Sequence, residues 1–320
     1  MDAIAQVRSF NRTVTQQIGA LADQFLGRNR PLGASRLLFE IGRDGIEVRQ
    51  LRARLSLDSG YTSRLLRELE AEGLIRTVAS SPDARVRFVN LTKAGRKELT
   101  VLNRLSDKAA ASLLGRLAES QRESLITAMH AVERLLLASA VQLRVENPSS
   151  RAARYCIGCY FQELAERFEG GFDPARSIPA DAEALTPPQG FLILATLNGE
   201  SVGCGALKCH AGYGEIKRMW VAPSSRRLGI GKRILLRLED LARQRHLPLL
   251  RLETNKTLTE AHALYRSSGY REVSPLNDDP YAHHWFEKAL QPTKRPSRAP
   301  ASHDWRAGRS GHIGGDRRNP

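Results

Sequence analysis

No apolar run in the chain approaches the ~18–20 residues that a membrane-crossing helix needs. The first residues, MDAIAQVRSFNRTVTQQ, lack the apolar core of a secretory signal. A cytoplasmic protein with no membrane partner is therefore expected. Cysteine is scarce, with four in 320 residues. Cys156 and Cys159 are spaced like half a metal site, and Cys204 and Cys209 could pass for the other half. The second pair lies in an alternating apolar stretch that reads as a strand, where an odd offset sends side chains to opposite faces. Two remaining thiols do not close a zinc site. No metal is expected, and the cysteines read as buried and reduced. A Walker loop, G-x-x-x-x-G-K-[ST], is also missing: in RRLGIGKRIL, Arg226 stands five positions before Gly231 and Arg233 follows Lys232. The same stretch fits the first two glycines of G-x-G-x-x-G and fails at Ile234.

What is present fits a soluble protein long enough for two domains, 41% hydrophobic and 26% charged. The formal charge is +15, and it is unevenly spread. Residues 49–97 hold 11 Lys/Arg against 5 Asp/Glu, the footprint of a nucleic-acid contact. Composition and pattern divide the chain at 1–139, 140–290 and 291–320. The last stretch is rich in Pro, Gly, Ser and Arg and has almost no apolar pattern, so a basic disordered tail is expected.

Residues 1–27 read as one long amphipathic helix, and ASRLLFEIG as a second. VRQLRARLSLDSGYTSRLLRELEAEGLI holds two more, joined near Ser56–Asp58, with Asp58 or Ser59 as N-cap and Gly73 as stop. In the later helix Tyr61, Leu65, Leu66 and Leu69 form the core face. Small hydroxyls and arginines fall opposite it, as suits a major groove. IRTVASSPDARVRFVNLT then reads as a basic hairpin. Helix–turn–helix followed by a hairpin is a winged helix. Candidate DNA contacts are Ser59, Thr62, Ser63, Arg64 and Arg67 on the helix, with Arg85 and Arg87 on the hairpin. The order of the recognition helix, the exit Glu70–Ile75, the wing Asp83–Arg85 and the segment Leu91–Gly95 resembles the MarR family of transcriptional regulators. The resemblance covers about residues 5–138. It implies a double-stranded operator as partner, and a homodimer through arms at 92–117 and 119–139. Leu113, Leu125, Met129, Val132 and Leu136 are expected among the core of those arms.

The second half is mixed α/β with mostly antiparallel strand contacts. Strand-like runs at 191–197, 201–209 and 215–222 precede RRLGIGKRILLRLEDLARQRH. There Ile234, Leu235, Leu238, Leu241 and Ala242 make one helical apolar face. That helix starts near Gly231, so its free N–H groups point into a glycine-rich, cationic turn suited to a phosphate. R-x-x-G-x-G between strand and helix, with EIKRMWVAP before it and AHALYRSSGYRE after the next strand, resembles the GNAT superfamily of N-acetyltransferases over residues 141–288. The resemblance implies acetyl-CoA as co-substrate and no metal. Its diphosphate would lie on Arg226, Arg227, Leu228, Gly229, Ile230, Gly231 and Lys232, with the phosphate-touching cation left open. The backbone of Met219, Trp220 and Val221 would pair with pantetheine, and Asn255 would contact the cofactor. Tyr265 occupies the general-acid position and Glu215 the general-base position, acting directly or through water.

The composite expectation is a bifunctional chain: a dimeric winged-helix regulator, nucleoid-associated when DNA-bound, fused to an acyltransferase that acetylates a primary amine by direct attack. The alternative is a regulator whose GNAT domain only senses acetyl-CoA. The acceptor is not legible; an acidic stretch including Glu163, Glu166, Glu169 and Asp173 would suit a cationic amine.

Overall fold

The computed structural model describes residues 2–79 and 86–291. Helix α1 (Ala3–Gln17) opens on Asp2, whose carboxylate accepts from the Ile4 amide. The single helix expected over 1–27 ends ten residues early, because Gly19 turns the chain with φ +64°. A short 3₁₀ turn at Phe25–Gly27 follows. Two hydrogen bonds from Arg28 and one from Arg30 to the buried Glu98 carboxylate hold that region in place.

Next come α2 (Leu32–Ile41), β1 (Ile46–Glu47), α3 (Val48–Leu55), α4 (Ser59–Ala71), β2 (Ile75–Ala79) and β3 (Arg87–Leu91). The three strands form a small antiparallel sheet in the order β1-β3-β2. Leu37, Leu38, Leu51, Leu65, Leu69 and Leu102 are the centre of one apolar core. Burying each such side chain contributes roughly 1.5–3 kcal/mol. This is the winged helix-turn-helix architecture. Two long helices close the region, α5 (Lys93–Leu114) and α6 (Glu119–Ala140). Their expected core positions are not a core within the chain: Leu113, Met129 and Leu136 are exposed, and Leu125 and Val132 only half-buried. No further layer of the described chain covers this pair.

Strand β4 (Gln142–Glu146) and α7 (Arg151–Arg167) begin the second core, followed by β5 (Gly190–Leu197), β6 (Glu200–His210) and β7 (Tyr213–Val221). Then come α8 (Ile230–Gln244), β8 (Leu249–Thr254), α9 (Thr259–Ser267), β9 (Arg271–Val273) and β10 (His284–Ala289). Seven strands form one sheet in the order β4-β5-β6-β7-β8-β10-β9, antiparallel except between β7 and β8. α8 packs on one face through Ile234, Leu235, Leu238 and Ala242. α7 packs on the other through Ala153 and Cys156. Alternation sends Cys204 to the α7 side and Cys209 to the α8 side, as its spacing requires, and all four thiols are free. β9 has only three residues, too few for a periodic signal. Arg233 in α8 donates to the carbonyls of Ala138 (2.6 Å) and Val141 (2.7 Å), fastening α8 to the end of α6.

Candidate active site

β7 and β8 pair in parallel at Gly214–Leu250 and Glu215–Arg251, and the pairing stops there. Arg218, with φ +56°, puts a bulge into β7, and the β6–β7 register shifts opposite it. Beyond the bulge the two strands diverge. β6 occupies one edge of Trp220 and Val221, leaving the edge towards β8 without a strand partner. A ligand carrying amides can pair there.

The turn after β7 is built for close approach. Gly229 is left-handed (φ +73°) and serves as N-cap of α8, so the first amides of that helix point outwards. Leu228 packs against the core and Ile230 is buried, so in the turn they offer backbone N–H groups rather than side chains. The three cations divide their duties. Arg226 is a strut: its Nε donates to the Val221 carbonyl (3.0 Å), and its guanidinium pairs with Glu163 on α7. Glu163 also accepts from Trp220 Nε1 at 2.9 Å, which aims the indole away from the cleft. Arg227 and Lys232 are exposed beside the turn and are placed to meet an anion.

Alongside this cleft lies a cavity of about 80 Å³. Tyr160, Phe168, Phe172 and Tyr281 give it an aromatic wall, and Lys217, Arg218, Glu253 and Tyr265 give it polar groups. Met219 lines it too. Tyr265 is 5% exposed and packs on Tyr270 and Phe286, with centroids at 5.9 and 5.8 Å. Burial pushes its hydroxyl well above the usual phenol range, so it stays protonated at neutral pH.

The expected base, Glu215, is not on the cavity lining. It is buried and held by His210 (3.1 Å) and Lys217 (3.0 Å). Burial opposes its ionisation, but Lys217 first and His210 next outweigh this and hold the carboxyl below its ordinary range. The carboxylate facing the cavity is Glu253, on the other side of Lys217 and paired with it. Burial, with Glu215 and Asp279 adding to it, raises the Glu253 pKa despite Lys217. Lys217 itself is held charged by Glu253 and Glu215 against the cost of burial. The result is a chain of polar groups, Glu253–Lys217–Glu215–His210, running from the cavity to a half-buried imidazole.

Asn255 lines the cavity, with its side-chain amide engaged within the chain. Its Nδ2 donates to the Tyr281 carbonyl (2.8 Å) and its Oδ1 accepts from the Thr257 amide (3.0 Å), fixing the loop that carries Tyr281. Sequence reasoning missed Lys217, Arg218 and Glu253. Their signal was charge inside strand runs that are otherwise apolar.

In the winged helix, Ser59, Ser63, Arg64 and Arg67 of α4 are exposed, as is Arg87 on β3. Arg64 lies 5.1 Å from the Tyr61 ring centroid, and Arg67 Nε donates to the Ser63 carbonyl at 3.3 Å. Thr62 is a correction. It is 1% exposed and its hydroxyl donates back to the Asp58 carbonyl (2.7 Å), which removes it from any groove. Arg85 lies outside the described residues.

Known proteins share these two halves. The model of the acetyltransferase (GNAT) family matches residues 159–270, and that of the MarR family residues 26–86. The chain is 39% identical over 117 residues to an "IAA acetyltransferase" of Azospirillum brasilense, covering 36% of this chain and 76% of that protein. It is 35% identical over 109 residues to an "uncharacterized N-acetyltransferase YsnE" of Bacillus subtilis strain 168, covering 33% and 72% respectively. A GNAT-family acetyltransferase structure from Staphylococcus aureus Mu50 covers 48% of this chain and 100% of its own, at 17% identity and a TM-score of 0.38. The chain thus belongs to the GNAT N-acetyltransferases, which use acetyl-CoA, and ahead of that domain it carries a winged helix-turn-helix whose residues 26–86 match the MarR family model.

Proposed function

We propose that one chain performs both tasks: as a homodimer it binds an operator through α4 and the hairpin, and it transfers acetyl from acetyl-CoA to a primary amine by direct attack. The domains would divide near 139–140, with residues 291–320 a basic appendage. The observation that carries the transferase mechanism is that Glu253 and Tyr265 line one cavity beside the cofactor turn. In this scheme acetyl-CoA supplies the thioester, its diphosphate resting on the amides of Leu228–Gly231 near Arg227 and Lys232. The acceptor ammonium gives one proton to Glu253. The neutral amine then attacks the thioester carbon, and the C–N bond forms as the C–S bond breaks. Tyr265 gives its proton to the departing thiolate. Of the two protons left on nitrogen, one passes to the Tyr265 oxygen and one stays on the product amide, and Glu253 releases its own to solvent. Each positioned proton transfer supplies roughly 10²- to 10⁴-fold. Glu215 serves by keeping Lys217 charged and in place.

Dimerisation is supported by apolar surface that the described residues leave uncovered. Ile4, Val7 and Phe10 of α1 are 72%, 59% and 42% exposed, and Met129, Leu135 and Leu136 of α6 are 49%, 66% and 61% exposed. Such stripes mark an interaction face. The test uses one preparation of the full chain. Selection from random duplexes should recover a palindromic site, and a thiol-release assay with acetyl-CoA and an amine panel should show turnover. Recovery of DNA without turnover would remove the transferase half, and turnover without selected DNA the regulatory half.

A further inference from the structure

Arg218 stands apart from the other cations near the cavity. Lys217 is paired with Glu215 and Glu253, Arg167 with Glu163 and Glu260, and Arg226 with Glu163. Among the described residues, no carboxylate lies within ion-pair distance of the Arg218 guanidinium. It sits instead 4.6 Å from the Phe161 ring centroid and 5.8 Å from that of Tyr160. Its backbone is left-handed (φ +56°), a strained conformation for a side-chain-bearing residue. It is half-buried and lines the same cavity as Glu253, from the neighbouring strand. A guanidinium beside aromatic rings and without a carboxylate partner can offer its planar fork of donors to a planar anion. The cavity therefore offers one cation lacking an acidic partner, one carboxylate, and an aromatic wall in which the Phe172 and Tyr281 rings lie 4.8 Å apart.

Taking the transferase reading as its basis, we propose that the acceptor is a free amino acid with an apolar or aromatic side chain. Arg218 binds its carboxylate, Glu253 receives its ammonium, and Tyr160, Phe172 and Tyr281 enclose the side chain. Arg218 is then the specificity-determining residue, and the product is the N-acetyl amino acid. A bare amine satisfies Glu253 but leaves Arg218 without its anion.

Three probes with the same aromatic side chain and an amine decide this: L-phenylalanine, L-phenylalaninamide of equal size, and the smaller phenethylamine. Each is titrated calorimetrically into the full chain saturated with coenzyme A, and each is assayed for thiol release with acetyl-CoA. L-Phenylalanine is expected to bind roughly 10- to 100-fold more tightly than the other two, the range of a charge-assisted hydrogen-bonded pair. Arg218→Gln should erase that preference, so that the three probes bind with similar affinity. Arg218→Lys should keep part of it. Equal binding of the three probes by the wild-type chain, no binding of any, or a uniform loss in Arg218→Gln would overturn the inference. A clear binding preference with no turnover would instead overturn the transferase reading and leave the carboxylate site standing.

Discussion

Replacing Gly231 by alanine separates the needs of the fold from the needs of the ligand. A Cβ there would meet Leu264 Cδ2 at 3.5 Å and Val221 Cγ2 at 3.8 Å, ordinary van der Waals distances. The residue lies in the first turn of α8 and is not left-handed. Alanine is favoured over glycine in a helix by up to about 1 kcal/mol, and by less near the end. Stability should hold or rise by about 0.5 kcal/mol, roughly 1–2 °C in Tm for a domain of this size. On the proposed docking, the same methyl intrudes where the diphosphate meets the backbone. Losing one charge-assisted hydrogen bond costs about 1.5–3 kcal/mol, or roughly 10- to 150-fold in Kd. Gly231→Glu adds a carboxylate facing phosphate and should abolish binding. Gly205→Ala is the control, since its Cβ would sit 2.5 Å from Ile234 Cγ2 and 2.6 Å from Met219 Sδ. Such overpacking should cost about 1–3 kcal/mol. Thermal unfolding and calorimetric titration with acetyl-CoA read the two effects separately. Wild-type affinity in Gly231→Ala, or a Tm loss matching Gly205→Ala, would show this docking to be wrong.

Tyr265→Phe should lower kcat/KM by roughly 10²- to 10⁴-fold with acetyl-CoA affinity intact; stopped-flow thiol release and titration of the same sample check both. Glu253 must be ionised to accept a proton, and its pKa is raised by burial. The acidic limb of kcat/KM should therefore fall above the ordinary glutamate value, activity disappearing as pH drops through it, and Glu253→Gln should remove that limb. Arg67→Ala should weaken operator binding and flatten the slope of log K against log salt by about 0.9 for each phosphate the side chain neutralises, read by fluorescence anisotropy at several salt concentrations. Leu136→Glu on the 61%-exposed position of α6 should shift the chain towards monomer in sedimentation velocity while circular dichroism stays unchanged.

Helices and strands with strong apolar periodicity were legible in the sequence, as were the R-x-x-G-x-G turn and the outward Ser63 and Arg67. Where the placement of a residue was not legible, the causes are physical. Thr62 follows the hydroxyl residues of α4 in type but not in facing, because a β-branched hydroxyl one turn from the cap bonds back to Asp58. The resemblance gave Glu215 the place of the base, and the structure sets it off the cavity lining, behind Lys217. The bulge at Arg218 and the divergence of β7 from β8 decide which carboxylate meets the cavity, and neither is written in a period of two. Asn255 carried the right chemistry, but its partner Tyr281 lies 26 residues on. The exposed leucines of α6 follow the pattern of a core helix, since the sequence marks an apolar face without saying which chain covers it.

Whether the transferase half turns over is read most directly by a mass-spectrometric count of acetylated amine against coenzyme A released by the wild-type chain. The expected result is one acetyl amine per thiol, with both falling together in Tyr265→Phe. Acetyl-CoA binding that is lost in Gly231→Glu, with no acetylated amine from any acceptor, would contradict it and leave the chain a DNA-binding sensor of acetyl-CoA.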